Sequence, residues 1–124
     1  MNKKGNKGNN KVNYKIATLD GPYAVAGTRF GPFLAIRKDH TPNTYEERNG
    51  TVWVVDHLPS GTRIKGGLNY QQARGYAARL RIIVESEPHL WEFNVDALPA
   101  GDHKDAIIKS ARRAWEEFLL ATVS

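Results

Sequence analysis

Turn-forming residues divide the first half of this chain into short segments whose composition favours β-strands. Residues 14–19 alternate between apolar and polar side chains, and they end at a strong turn signal, Asp-Gly-Pro, at residues 20–22. Further apolar runs follow at residues 23–26 and 33–37, separated by glycine and proline. This pattern predicts successive strands of an antiparallel meander.

The strongest strand signal lies at residues 51–55, where three valines and a tryptophan favour a pleated and buried setting. The preceding residues 39–50 are polar and rich in turn formers, and they predict a loop. The Leu-Pro-Ser-Gly sequence at residues 58–61 then turns the chain into a second run at residues 62–65. Together these two runs predict a β-hairpin.

Two amphipathic segments in the second half predict helices that pack on the sheet. The first begins with Asn69 as its N-cap and runs to about residue 85, with apolar residues at helical spacing. Gly75 lies within it and should cost about 1 kcal/mol relative to alanine. The second helix is C-terminal, with Asp102 as its predicted N-cap. Between them, residues 90–95 alternate and predict one more strand.

The sequence therefore predicts an α+β fold: an antiparallel sheet of four to five strands with two packing helices, the last helix being C-terminal. A length of 124 residues fits one domain, which we place at residues 13–124. The absence of cysteine excludes disulfides and thiolate metal sites. No run approaches the roughly 20 apolar residues of a membrane span, and no apolar segment follows the basic N-terminus as in a secretory signal. We expect a cytoplasmic protein with no membrane partner.

Positive charge is concentrated at the N-terminus. The chain has a net charge of +5, and its first fifteen residues contain five lysines and no acid, so the remainder carries no net charge. Residues 1–12 consist mainly of Lys, Asn and Gly, which cannot bury enough surface to offset the entropy of ordering them. They predict a disordered cationic arm, which either binds polyanions or only solubilises the protein.

Several cations of the body could extend such a binding surface. Arg63 and Lys65 are two residues apart in a predicted strand, so we expect them on one face. Arg74 and Arg81 are seven residues apart and should share one side of the first long helix. A basic sheet face of this kind could follow a phosphate backbone. The predicted nucleic-acid-binding residues are Lys3, Lys4, Lys7, Lys11, Lys15, Arg29, Arg37, Arg63, Lys65, Arg74 and Arg81.

Aromatic side chains are interleaved with these cations and could stack on unpaired bases. Packing in the hydrophobic core is the interpretation that we favour for them. The side chains in question are Tyr23, Phe30, Phe33 and Tyr45.

No residue pattern predicts catalysis. Three Asp-His dipeptides occur, but neighbours on a strand point to opposite faces, so Asp56 and His57 cannot act together from one side. His57, at a strand end beside a turn, is the one candidate for hydrolase or nuclease chemistry. Metal-ligand spacing, a nucleophile elbow and a phosphate-binding loop are all missing from the sequence. We therefore expect no enzymatic activity, no cofactor and no metal.

Two functions of different kinds remain open. The leading prediction is a small accessory protein that binds DNA or RNA without catalysis. The alternative is a protein-binding module or inhibitor, such as an effector encoded by a phage or another mobile element, because the body is neutral and lacks a chemical motif. An exposed sheet edge could also support a homodimer. Cations that converge on one face would favour nucleic acid, whereas cations dispersed among acids would favour a protein partner.

Overall fold

A computed structural model describes residues 10–123 of the chain. Within that range, five strands and four helices confirm the predicted α+β fold with its C-terminal helix. The elements are β1 (Lys11–Ile16), β2 (Tyr23–Phe30), β3 (Leu34–Lys38), α1 (Thr44–Asn49), β4 (Trp53–His57), β5 (Thr62–Leu68), α2 (Tyr70–Ser86), α3 (Pro88–Trp91) and α4 (Gly101–Val123).

The five strands form a single antiparallel meander in the order β1-β2-β3-β4-β5. The predicted hairpin between β4 and β5 is confirmed, and Gly61 occupies the left-handed region of its turn with φ 71°. The predicted cap of α2 is also confirmed. The Asn69 side chain accepts a hydrogen bond from the backbone N–H of Gln72 at 2.7 Å, and the Gln72 side chain accepts one from the Asn69 N–H at 2.9 Å.

Two predictions about the connecting segments are wrong. Residues 90–95 do not form a strand, because Pro88 opens the short helix α3 and Trp91 at its end is buried in the core. The predicted loop at residues 39–50 contains the helix α1, which is closed at its start by reciprocal hydrogen bonds between Asn43 and Glu46. An Asn-x-x-Glu capping box is a local signal that the turn-rich composition obscured.

The starting points of the first strand and of the last helix also differ from those predicted. Most of the predicted arm lies outside the described residues, but β1 already begins at Lys11, two residues before the predicted start of the domain. Pairing with β2 places these residues in the sheet, since Lys11 lies opposite Thr28 in the register. In the last helix, Asp102 lies within the first turn of α4 rather than at its N-cap.

The sheet is curled so that β1 lies across from β4, although β2 and β3 separate them in the strand order. The Tyr14 hydroxyl donates to the Asp56 carboxylate at 2.8 Å, and the Arg37 guanidinium donates to the same carboxylate through Nε at 2.5 Å and Nη2 at 3.4 Å. The backbone N–H of Ala17 donates to the carbonyl of Gly61 at 3.0 Å, which ties the end of β1 to the β4–β5 turn. We call the concave side that holds this network the inner face.

Burial raises the pKa of the Tyr14 phenol, and the adjacent Asp56 carboxylate raises it further. The hydroxyl therefore keeps its proton and remains a donor to Asp56. Arg37 and Asp56 are almost completely buried, with 3% and 0% of their surface exposed. Each is satisfied by the other, as buried charges must be.

The opposite, outer face of the sheet carries α2, which covers β3, β4 and β5. Apolar side chains of these strands pack against the apolar stripe of the helix, and α4 packs along α2. The Tyr76 hydroxyl donates to the carbonyl of Ala111 at 3.1 Å, which fixes α2 against α4. The core consists of Leu34, Ile36, Val55, Leu68, Ala73, Tyr76, Ala77, Leu80, Ile83, Val84, Trp91 and Ala114.

Gly75 of α2 lies directly against the ring of Phe118 on α4. A Cβ atom at this position would overlap the ring of Phe118 on α4. The glycine therefore allows the contact between the helices, and its low helix propensity is the cost of that contact.

Gly75→Ala should destabilise the protein by about 1–3 kcal/mol, because overpacking against Phe118 outweighs the gain in helix propensity. In a Phe118→Ala background the same change should instead stabilise the protein by about 0.5–1 kcal/mol, since the obstructing ring is gone. Urea unfolding of the four proteins measures both effects. Stabilisation by Gly75→Ala in the otherwise unaltered protein would contradict the close approach.

Candidate nucleic-acid interface

The alternation of side chains along β1 separates its residues into an inner and an outer set. Tyr14 and Ile16 point toward the inner face, so Lys11, Asn13 and Lys15 point outward, and all three are exposed. Their partners on β2 are the small, exposed residues Thr28, Ala26 and Ala24. The outer face of β1 and β2 thus presents two lysines beside a low surface of small side chains, which α2 leaves uncovered.

A groove of about 530 Å³ crosses this part of the outer face from β1 to β4. Lys11 stands on its β1 side and Lys38 on its β3 side, where Lys38 pairs with Trp53 in the register. The Lys38 Nζ lies 5.9 Å from the centroid of the Trp53 ring. We call this feature the outer groove; it is lined by Lys11, Val12, Asn13, Ala26, Gly27, Thr28, Ile36, Arg37, Lys38 and Trp53.

The start of α2 continues the outer groove beyond Trp53. The Tyr70 ring lies 4.8 Å from the Trp53 ring, and the Arg74 guanidinium lies 5.7 Å from the Tyr70 ring. Further along α2, Arg81 pairs with Glu85 at 2.8 Å beside the β2–β3 turn. The predicted shared side of Arg74 and Arg81 is therefore the side of α2 that borders the exposed strands.

The charged group of Arg37, a predicted binding residue, does not lie on this surface. Its backbone lines the outer groove, but its guanidinium points to the inner face and is buried against Asp56. Alternation along β3 sends neighbouring Lys38 outward. The sequence prediction named Arg37, whose guanidinium is buried, and the exposed cation at this point of β3 is its neighbour Lys38.

The prediction that Arg63 and Lys65 share one face is wrong because β5 contains a β-bulge. Arg63 lies opposite Asp56 and Lys65 lies opposite Val55, which leaves one extra residue between them and shifts the register. Arg63 then pairs with Asp39 at 3.4 Å, whereas the Lys65 Nζ lies 4.4 Å from the Trp115 ring of α4. These two cations face different parts of the molecule, and each has an internal partner.

The remaining predicted residues divide into two groups. Arg29 is exposed near the end of β2, where its backbone N–H donates to the carbonyl of Asn10 at 2.6 Å. Lys3, Lys4 and Lys7 lie outside the described residues. In the sequence, residues 1–38 carry eight Lys and Arg against one acid, so the basic character extends beyond the arm into β1–β3.

The four aromatic residues considered for base stacking fall into a pair that packs against the core and an exposed pair. Phe30 and Phe33 pack against the core, which confirms the interpretation favoured for them. Tyr23 is half-exposed and its ring lies 4.5 Å from that of His40, while Tyr45 is largely exposed on α1. Sequence analysis missed Trp53 and Tyr70 as a partly exposed aromatic pair, because Trp53 falls in the strand with the strongest burial signal.

His57, the candidate for catalysis, is fully buried and hydrogen-bonded at both ring nitrogens. Nε2 lies 2.7 Å from the carbonyl oxygen of Trp91, so it carries the proton and donates. Nδ1 then accepts from the Ser60 hydroxyl, also at 2.7 Å. The ring stacks on Phe93 with centroids 4.0 Å apart. These contacts use His57 to join the β4–β5 turn to the segment after α3.

Within residues 10–123, no three His, Asp or Glu side chains lie close enough together to hold a metal ion. No helix there is both long enough and apolar enough to cross a membrane.

Comparison with known protein families, with curated proteins and with solved structures found no match to this chain. Its function is therefore inferred from the surface described above.

The protein should lose stability as the pH falls below about 6.5 because of His57. Burial lowers the pKa of this imidazole below its ordinary value, so the unfolded chain takes up the proton first and is favoured in acid. His57→Gln should cost about 1–3 kcal/mol near neutral pH, since buried hydrogen bonds are lost. It should also flatten the dependence of stability between about pH 7 and 5.5.

Urea unfolding across that pH range checks this prediction. His89→Gln, on the exposed surface of α3, is the matched control and should keep the pH dependence of the unaltered protein. An unchanged pH dependence in His57→Gln would show that the buried imidazole is not the titrating group.

Proposed function

We propose that this protein binds DNA or RNA without catalysis, through the outer groove and the N-terminal lysines. One observation carries the proposal: two exposed cations, Lys11 on β1 and Lys38 on β3, stand on opposite sides of a single groove. Lys15 lies further along the outer side of β1, and Arg74 lies beside Tyr70, which contacts the groove residue Trp53.

The charges around the groove are better suited to a polyanion than to a neutral ligand. The carboxylates nearest to the predicted cations are occupied, since Asp56 pairs with Arg37, Asp39 with Arg63, and Glu85 with Arg81. Lys11, Lys15 and Lys38 are therefore available to phosphates, which release counterions when lysine neutralises them. Three further lysines, at positions 3, 4 and 7, precede β1 in the sequence and add three positive charges to the chain.

Two observations support the alternative of a protein-binding module. Among the cations predicted in the body, Arg37, Arg63 and Arg81 are each paired with an acid and do not converge on one face, which is the arrangement expected for a protein partner.

The other observation is an apolar cleft in a different part of the surface. A second cleft, of about 510 Å³, lies between the β1–β2 and β4–β5 turns, and Ile16, Pro22, Leu58 and Val95 contribute apolar lining. Leu19 is fully exposed in the β1–β2 turn, beside the lining residue Thr18. A cleft of this kind favours an apolar segment of a partner protein. This alternative becomes the better account if the substitutions below leave nucleic-acid affinity unchanged.

Removing the lysines of the outer face tests the proposal. The triple variant Lys11→Gln, Lys15→Gln, Lys38→Gln should bind duplex DNA more weakly at low salt. Its log–log salt slope should be shallower by about 2–3, because each lost phosphate contact removes about 0.9. Affinity measured by fluorescence anisotropy at several salt concentrations gives the slope.

The matched control removes the same number of charges from the exposed surface of α4, outside the outer groove: Lys109→Gln, Arg112→Gln, Arg113→Gln. We expect this control to keep most of the affinity and the original slope. Equal losses in the two triple variants would mean that only net charge matters, and the outer groove would then not be the site. Deletion of residues 1–9, which leaves β1 intact, isolates the contribution of the N-terminal lysines.

A further inference from the structure

We infer that the outer groove binds unpaired nucleotides, whose bases stack on the aromatic pair of Trp53 and Tyr70. This inference rests on the proposed function and narrows its ligand to single-stranded DNA or RNA.

The aromatic pair lies at the end of the outer groove where three elements meet. Trp53 is the first residue of β4 and pairs with Lys38 on one side and Leu68 on the other. Its ring lies 4.8 Å from that of Tyr70 at an angle of 55°, so the two rings form a corner and not a closed stack. Tyr70 is 46% exposed, and Trp53 is partly exposed. A flat ligand can therefore reach these rings from solvent.

A cation lies over each of the two rings. Lys38 lies 5.9 Å from the Trp53 centroid and Arg74 lies 5.7 Å from the Tyr70 centroid. Both distances are close to the ~6 Å limit of a favourable cation–π contact. By contrast, Lys65 sits 4.4 Å from the Trp115 ring, which also contacts Tyr76 and Phe118. Trp115 is thus held by three neighbours within the fold. Trp53 also packs against the core, but the Tyr70 ring beside it is half-exposed, so a base can replace Arg74 on that ring.

The combination of flat rings and flanking cations selects for unpaired bases. In a duplex the faces of the bases are covered by their neighbours, so aromatic side chains on a protein surface cannot stack on them. A single strand exposes those faces, and its phosphates can contact Lys38 and Arg74 on either side of the rings and Lys11 further along the groove. Grooves that track a backbone with cations and stack its bases on aromatic rings are characteristic of single-strand binding.

An acidic polypeptide is the competing occupant, because it would also be attracted to the lysines. It has no flat base to place on Trp53 and Tyr70, so its binding should depend on the cations alone. Substitutions that remove the rings and keep the charges therefore distinguish a single strand from an acidic polypeptide.

The test compares a short oligothymidylate with a duplex of the same length at one fixed salt concentration. The unaltered protein should bind the oligothymidylate more tightly. Tyr70→Ala and Trp53→Leu should each lower that affinity roughly 5-fold or more, and they should change affinity for the duplex by less than about 2-fold. Tyr45→Ala removes an exposed ring outside the outer groove and should leave both affinities unchanged. Thermal unfolding checks that each variant is folded. If Trp53→Leu is unstable, Tyr70→Ala still decides the test, because the half-exposed Tyr70 side chain can be removed with little effect on the fold.

The outcomes separate this inference from the proposed function. If the oligothymidylate and the duplex bind equally and neither ring substitution matters, the protein binds nucleic acid by charge alone and the inference is wrong. If neither ligand binds at low salt, the proposed function itself fails. Displacement of the oligothymidylate by polyglutamate at equal charge concentration would also overturn the inference, because it would show that the rings contribute nothing.

Discussion

The buried ion pair between Arg37 and Asp56 is the interaction on which the rest of the structure depends. Both groups are removed from water, and removing one partner from such a pair costs about 3–5 kcal/mol because the other is left charged and unpaired. The Tyr14 hydroxyl supplies a further hydrogen bond to the Asp56 carboxylate from β1, which two other strands separate from β4 in the sheet. This requirement curls the sheet and brings β1 across from β4.

The curl determines which cations are available to a ligand. Since Tyr14 must face Asp56, alternation directs Lys11 and Lys15 outward, and since Arg37 faces Asp56, Lys38 points outward as well. A buried polar network on the inner face thus arranges the lysines of the outer face. The bulge in β5 has the opposite effect on Arg63 and Lys65, because it turns them toward separate internal partners. The basic surface is built mainly by the first three strands and bordered by α2.

Features that depend on near neighbours in the chain could be predicted from the sequence. The turn after β4, the Asn69 cap and the apolar stripe of α2 all follow from residues within a few positions of one another. Features that depend on distant residues could not. Tyr14 and Asp56 are 42 positions apart, and no local pattern indicates that an arginine at position 37 will be buried between them. The contact of Trp53 with Tyr70 forms only once the hairpin has folded. Whether glycine is needed at position 75 depends on Phe118, which lies in another helix.

We propose that the two faces of the sheet have different roles, with a structural cation, Arg37, inside and the cations that bind a ligand outside. Chemical-shift mapping of the labelled protein during titration with a short oligonucleotide tests this directly. We predict that the largest backbone shifts fall on Lys11, Thr28 and Lys38, that the Trp53 indole signal moves, and that the Arg37 guanidinium signal stays in place. Shifts confined to the cleft around Ile16, Leu58 and Val95, or movement of the Arg37 signal with the lysines unaffected, would contradict it.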